Sequence, residues 1–125
     1  DQNLNSLNIT KSIEIVYGLR NFIGNANKFS KSKVFISLKS DKDITEILIE
    51  DDGEGYSKDV LSKIGEPYIK SIKSSIKSKS GLGLGIFIGK TLLEKNYANI
   101  LCGNSKIKSG AEVIIKWKNK DLLSL

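Results

Sequence analysis

A chain of 125 residues with 39% hydrophobic content suits a single domain with a core of useful size. One cysteine excludes an internal disulfide, the lack of histidine excludes Ser-His-Asp catalysis, histidine-ligated metal and a phosphoaccepting histidine within these residues, and no apolar run approaches the roughly 20 residues of a membrane span. The net charge of +6 admits a nucleic-acid partner through counterion release, but every basic residue except Arg20 is lysine, which lacks the planar fork that reads bases, so no nucleic acid is expected.

Residues 1–11 carry neither the basic nor the apolar region of a secretory signal and are expected to be a flexible or strand-forming lead-in, with Leu7 to Ile9 a weak strand signal. Beyond them, Ile13, Val16, Leu19, Ile23 and Ala26 recur at three- and four-residue steps, which predicts an amphipathic helix through Phe29, started by Ser12. "KVFISLKS" and "ITEILIED" alternate as two strands joined by the turn "DKD". Next comes "DDGEGY", residues 51–56. Taken alone it is an ordinary Asp-Gly turn, in which glycine accepts positive φ and aspartate bonds its local backbone.

"SKDVLSKI" predicts a short helix started by Ser57, and residues 69–80, rich in Ser and Lys and without a period, predict a mobile loop. "LGIFIGKTLLEKN" predicts a second long helix, and "ANILCG" and "AEVIIKW" two more strands around "NSKIKSG". Cys102, in an apolar strand, reads as a buried thiol in a reducing compartment. The order α, β, β, α, loop, α, β, β predicts an α/β two-layer sandwich, with helices packed on one face of a mixed, mainly antiparallel sheet and residues 1–125 forming one domain.

Two further patterns stand out. In "SGLGLGIFIGK", residues 80–90, alternate glycines before a helix let backbone N–H groups approach an anion, although glycines also permit tight loop–helix packing. The stretch is neither a Walker A loop nor a dinucleotide fingerprint. In "NFIGNANKF", Asn21 and Asn25 share a helix face, with Lys28 and Phe29 one turn on, although helical asparagines are more often plain solvated groups.

Together, the Asn face, the Asp-x-Gly-x-Gly turn after a strand, "GEPY" and Gly-x-Gly-x-Gly before a helix resemble the ATP-binding catalytic domain of bacterial sensor histidine kinases, of the Bergerat (GHKL) fold shared with gyrase, the Hsp90 chaperones and MutL. The resemblance covers roughly residues 12–118, and "GEPY" followed by "GLGLGIFIGKTLLE" is similar to the redox-responding RegB/PrrB-type kinases. It implies an N box at Asn21–Asn25, a G1 box at Asp51–Gly55, an F box at Glu66–Tyr68 and a G2 box at Gly81–Gly85. It implies that Asp51 accepts the adenine amino hydrogen, that Gly53 and Gly55 bring backbone close to the base, and that Asp52 is a variable position. Asn25 would ligate Mg²⁺, Asn21 would support the site, Lys28 would contact phosphate and Phe29 would pack near the adenine. Tyr68 stands where the F box usually has phenylalanine. Residues 69–80 would be the ATP lid, with Lys70, Lys73, Lys77 and Lys79 and no acid, followed by the backbone of Gly81, Leu82, Gly83, Leu84 and Gly85 at the nucleotide.

The cofactors implied are ATP and Mg²⁺, and the reaction is transfer of the γ-phosphoryl group to histidine. Relatives of this fold that hydrolyse ATP usually carry glutamate where this chain has Asn21, which cannot act as a base. The alternative is an ATPase or serine kinase of the same fold. With no histidine present, the acceptor is expected on a dimerisation domain N-terminal to residue 1. The chain is therefore expected to be an excised cytoplasmic catalytic fragment without membrane contact, from a homodimer with or without a membrane anchor, that serves a response regulator indirectly.

Overall fold

The computed structural model describes residues 12–64 and 82–125. Helix α1 (Ile13–Phe29) starts where its cap predicts, the Ser12 hydroxyl accepting the Ile15 N–H at 3.3 Å. Its buried face, however, shares only Leu19 and Ala26 with the stripe read from the sequence. Ile13, Val16 and Ile23 are 80%, 41% and 37% exposed, whereas Gly18, Phe22 and Ala26 are buried, with Ile15 and Leu19 packed against the core. Both sets repeat at helical spacing, and what selects between them is a contact that a hydrophobicity pattern omits. A side chain at Gly18 would place its Cβ 2.8 Å from Leu93 Cγ, and one at Gly89 would place it 2.9 Å from the Phe22 ring. Helix α3 (Leu82–Lys95) therefore crosses α1 where both lack a side chain.

Strands β1 (Val34–Ser40) and β2 (Ile44–Asp51) form the expected hairpin. Its turn is held by the Asp41 carboxylate, which accepts the N–H groups of Asp43 and Ile44, each at 2.8 Å. Strands β3 (Asn99–Asn104) and β4 (Ala111–Lys118) complete a sheet of order β1-β2-β4-β3. The expected sheet was mixed; all pairings among the described residues are antiparallel. Alternation sends Thr45, Ile47, Ile49 and Asp51 of β2 to the helix side, opposite Trp117, Ile115 and Val113 of β4. The register that buries Ile49 thus delivers a carboxylate, Asp51, to the same face at the end of the strand.

Short helix α2 (Lys58–Ile64) follows, with Ser57 Oγ accepting the Val60 N–H at 3.2 Å. A final helix, α4 (Asn119–Leu123), was not anticipated. It is a single turn, stabilised by burial of Leu122 and by the Asn119 side chain, whose Oδ1 accepts from Thr45 Oγ1 at 2.7 Å and whose Nδ2 donates to the Asp41 carbonyl at 2.7 Å. The lead-in at 1–11, with its strand signal, and the loop at 69–80 lie outside the described residues.

Candidate functional site

A cavity of about 330 Å³ opens between the C-terminal half of α1 and the turn after β2. Its apolar floor comes from Phe22, Ala26, Ile49 and Val113, which also form the core. Its polar groups come from Asn25, Lys28, Lys31, Asp51 and Glu54. An apolar seat with a few convergent polar groups is the usual make-up of a small-molecule site.

Asp51 is 3% exposed, and its carboxylate is fixed on one side only. Oδ1 accepts the N–H of Gly53 at 2.8 Å and that of Ala111 at 3.3 Å. No hydrogen bond from a described residue reaches Oδ2, which leaves it as an acceptor for the cavity that Asp51 lines. A carboxylate oxygen left open at a cavity is suited to a ligand donor. The turn beyond is built for close approach. Any side chain at Gly53 would overlap the Phe29 carbonyl oxygen, and Gly55 adopts φ +83°, a left-handed conformation that only glycine takes without strain.

Asn25 reaches the cavity from α1 and carries a buried Nδ2 without a hydrogen-bond partner. Such an orphan costs about 1–3 kcal/mol and marks a place where a ligand completes the bonding. Gly85, in the first turns of α3, lies against this amide: a Cβ there would be 3.1 Å from Nδ2 and 3.2 Å from Oδ1. Lys28 sits over the Phe29 ring, 5.2 Å from its centroid, and both line the cavity. Asn21 is placed differently. Its Nδ2 donates to the Tyr17 carbonyl of its own helix at 2.9 Å, and it is not among the lining residues.

Of the expected site residues, the fold gathers Asn25, Lys28, Phe29, Asp51, Gly53 and Gly55 around one cavity and sets Gly85 behind Asn25. Leu82, Gly83, Leu84 and Gly85 belong to α3 itself rather than to a loop before it. Tyr68, Lys79 and Gly81 lie outside the described residues. Sequence reasoning missed Asn104, which brackets Tyr56: its Oδ1 accepts the Tyr56 N–H at 2.7 Å and its Nδ2 donates to the Tyr56 carbonyl at 2.9 Å. It also gave no role to Asp52, whose carboxylate is held below its usual range by the backbone N–H groups of Ser32 and Lys33. Both belong to residue types that bond backbone, but their partners lie in distant segments, so no local pattern pairs them. Burial pushes the Cys102 thiol up to about 11, which keeps it protonated at neutral pH and agrees with an inert, partly buried cysteine.

Residues 10–121 match the family described as histidine kinase-, DNA gyrase B-, and HSP90-like ATPase. Sensor histidine kinase RegB of Cereibacter sphaeroides is 39% identical over 103 residues, which are 78% of this chain and 22% of RegB. The chain thus spans under a quarter of that relative's length. Among solved structures, the mycobacterial sensor histidine kinase MprB superposes with a TM-score of 0.64 at 22% identity, over 88% of this chain and 75% of that one. Full-length ShkA in complex with AMPPNP gives a TM-score of 0.61 at 24% identity, over 83% of this chain and 21% of that one.

Proposed function

Because this chain belongs to the histidine kinase-, DNA gyrase B-, and HSP90-like ATPase family, we propose that its cavity seats the adenine of ATP and that it is the catalytic ATP-binding domain of a sensor histidine kinase. ATP binding follows from the family. The kinase assignment is supported by the sensor histidine kinase relative and by Asn21, which stands where hydrolysing members of the fold usually carry glutamate. The protein would act on the cytoplasmic side, with a histidine-bearing dimerisation domain as its immediate partner and a response regulator downstream.

The observation that carries the adenine assignment is the divided bonding of Asp51. Its Oδ1 is committed to the backbone of Gly53 and Ala111, while Oδ2 is left to accept the exocyclic amino hydrogen of the base. Phe29 and the apolar floor provide a surface for the ring, and Gly53 and Gly55 keep the wall thin. Lys28 and Lys31 place positive charge on the same rim, where it attracts the triphosphate. Mg²⁺ fits the donors present, because Asn25, which lines the cavity, offers one hard oxygen in its amide, and this ion binds through few protein ligands, completing its shell with phosphate and water. When bound it would neutralise phosphate charge. Among the described residues no cluster of three His, Cys, Asp or Glu side chains offers a richer metal site.

Asp51→Asn tests the adenine assignment. The amide oxygen still accepts from Gly53 and Ala111, so the fold survives, but an N–H₂ donor now meets the base. Loss of a hydrogen bond to a buried charge should cost about 2–3 kcal/mol, or roughly 30- to 150-fold in affinity for a non-hydrolysable ATP analogue with Mg²⁺ by calorimetry. An unchanged affinity together with an unchanged circular dichroism spectrum would refute the assignment.

A further inference from the structure

The loop between α1 and β1 is held by the carboxylate of Asp52, which is not among the residues lining the cavity. Oδ1 of Asp52 accepts three successive backbone N–H groups, those of Lys31 at 2.8 Å, Ser32 at 3.0 Å and Lys33 at 3.1 Å. Its Oδ2 accepts from Ser32 Oγ at 2.8 Å and from the Ser32 N–H at 3.3 Å. Its own N–H donates to the Lys33 carbonyl at 3.3 Å, closing the clasp in both directions. Consecutive N–H groups of this kind form a concave anion seat, and here the protein fills the seat with its own carboxylate.

The clasp acts on the site because of where the loop leads. Phe29 ends α1, its carbonyl oxygen occupies the space that a side chain at Gly53 would need, and Lys31 is both clasped and a lining residue. Asp52 lies between Asp51, with its free oxygen, and Gly53, the thin wall. One residue therefore fixes the distance between the two walls of the cavity, the end of α1 and the turn after β2. We propose that Asp52 is a positioning residue for nucleotide binding, holding Phe29 and Lys31 against the Gly53 turn without touching the nucleotide. The proposal rests on the cavity being the nucleotide site. Its chemical basis is that a carboxylate accepts these donors through charge-assisted bonds at both oxygens, whereas an amide keeps one neutral acceptor for the three N–H groups and sets an N–H₂ against the second bond from the Ser32 N–H.

The test compares Asp52→Asn with Asp41→Asn. Asp41 is likewise a loop carboxylate bonded to backbone N–H groups, but it sits at the opposite end of the β1–β2 hairpin and does not line the cavity. Both variants lose a turn-stabilising charge, so a purely structural role would lower thermal stability in both and affinity in neither. Calorimetric titration with Mg²⁺ and a non-hydrolysable ATP analogue, at a temperature where circular dichroism shows both variants folded, should give about a tenfold loss for Asp52→Asn and less than about a twofold change for Asp41→Asn. Equal affinities for Asp52→Asn and the unsubstituted chain would overturn the positioning role and leave the nucleotide site standing. Absence of binding by the unsubstituted chain would overturn the nucleotide reading itself, and the positioning role with it.

Discussion

At the scale of single residues, the site is defined by polar groups that the fold leaves unfinished. Asn25 has a buried amide nitrogen without a partner, a penalty of about 1–3 kcal/mol that a residue chosen for packing alone would not carry. Replacing it with alanine should therefore leave stability unchanged or raise it slightly while harming function, the usual trade at a binding site. Under the proposed role, Asn25→Ala removes the Mg²⁺ dependence of analogue binding, about tenfold or more in affinity measured with and without the metal. Asn27→Ala, at an exposed position turned to the other side of α1, should change little. Equal effects at the two positions would show that the wrong helix face was assigned. That Asn25 matters could be read from the "NFIGNANKF" spacing and its company of motifs. That its nitrogen is orphaned, and that Asp51 has one oxygen bound and one open, depends on partners from α3 and β4, which no local window contains.

At the scale of elements, the close crossing of α1 and α3 sets how the helices lie on the sheet, and glycine governs it. Gly89→Ala would bring a methyl group within 2.9 Å of the Phe22 ring and 3.1 Å of the Gly18 carbonyl. Alanine's better helix propensity is worth about 1 kcal/mol, but overpacking a tight contact costs about 1–3 kcal/mol, so a net loss is expected. Gly24→Ala provides the contrast, because it lies in the same kind of helix with nothing within 4 Å. It should gain about 0.5–1 kcal/mol, so thermal melts should move up for Gly24→Ala and down for Gly89→Ala, each by about 2–4 °C. A rise in both would mean that the crossing is loose. Seven of the elements were legible because each carries its own periodicity or cap, as with Ser12, Ser57 and the alternation of β2. The inward face of α1 was misread at Ile13, Val16 and Ile23, which continue the helical spacing of Leu19 and Ala26, because the glycine that decides the face contributes nothing to a hydrophobic count. Helix α4 was missed because a single turn has no period, and the β2–β4 pairing joins strands that α2, α3 and β3 separate in the chain.

At the scale of the whole molecule, the described residues supply, under the proposed reading, a seat for a nucleotide, with Lys28 and Lys31 lining it and no group placed to use the γ-phosphoryl. Phosphoryl transfer depends chiefly on positioning and on neutralised charge, and it still requires a nucleophile. The chain contains no histidine, and Asn21 is bonded to its own helix at Tyr17 rather than lining the cavity, where it could not act as a base in any case. These 125 residues alone should therefore bind Mg·ATP yet neither label themselves nor release phosphate appreciably. Under the proposed kinase role, adding a histidine-bearing dimerisation segment in trans should produce labelled phosphohistidine on that segment. The label should be lost in acid and kept in base, because the N–P bond breaks readily once protonated. Asp51→Asn should sharply reduce it at ATP concentrations that saturate the unsubstituted chain, by weakening nucleotide binding. Substantial phosphate release by the 125 residues alone, insensitive to Asn21→Ala, would instead mark the chain as an ATPase and make the kinase assignment wrong.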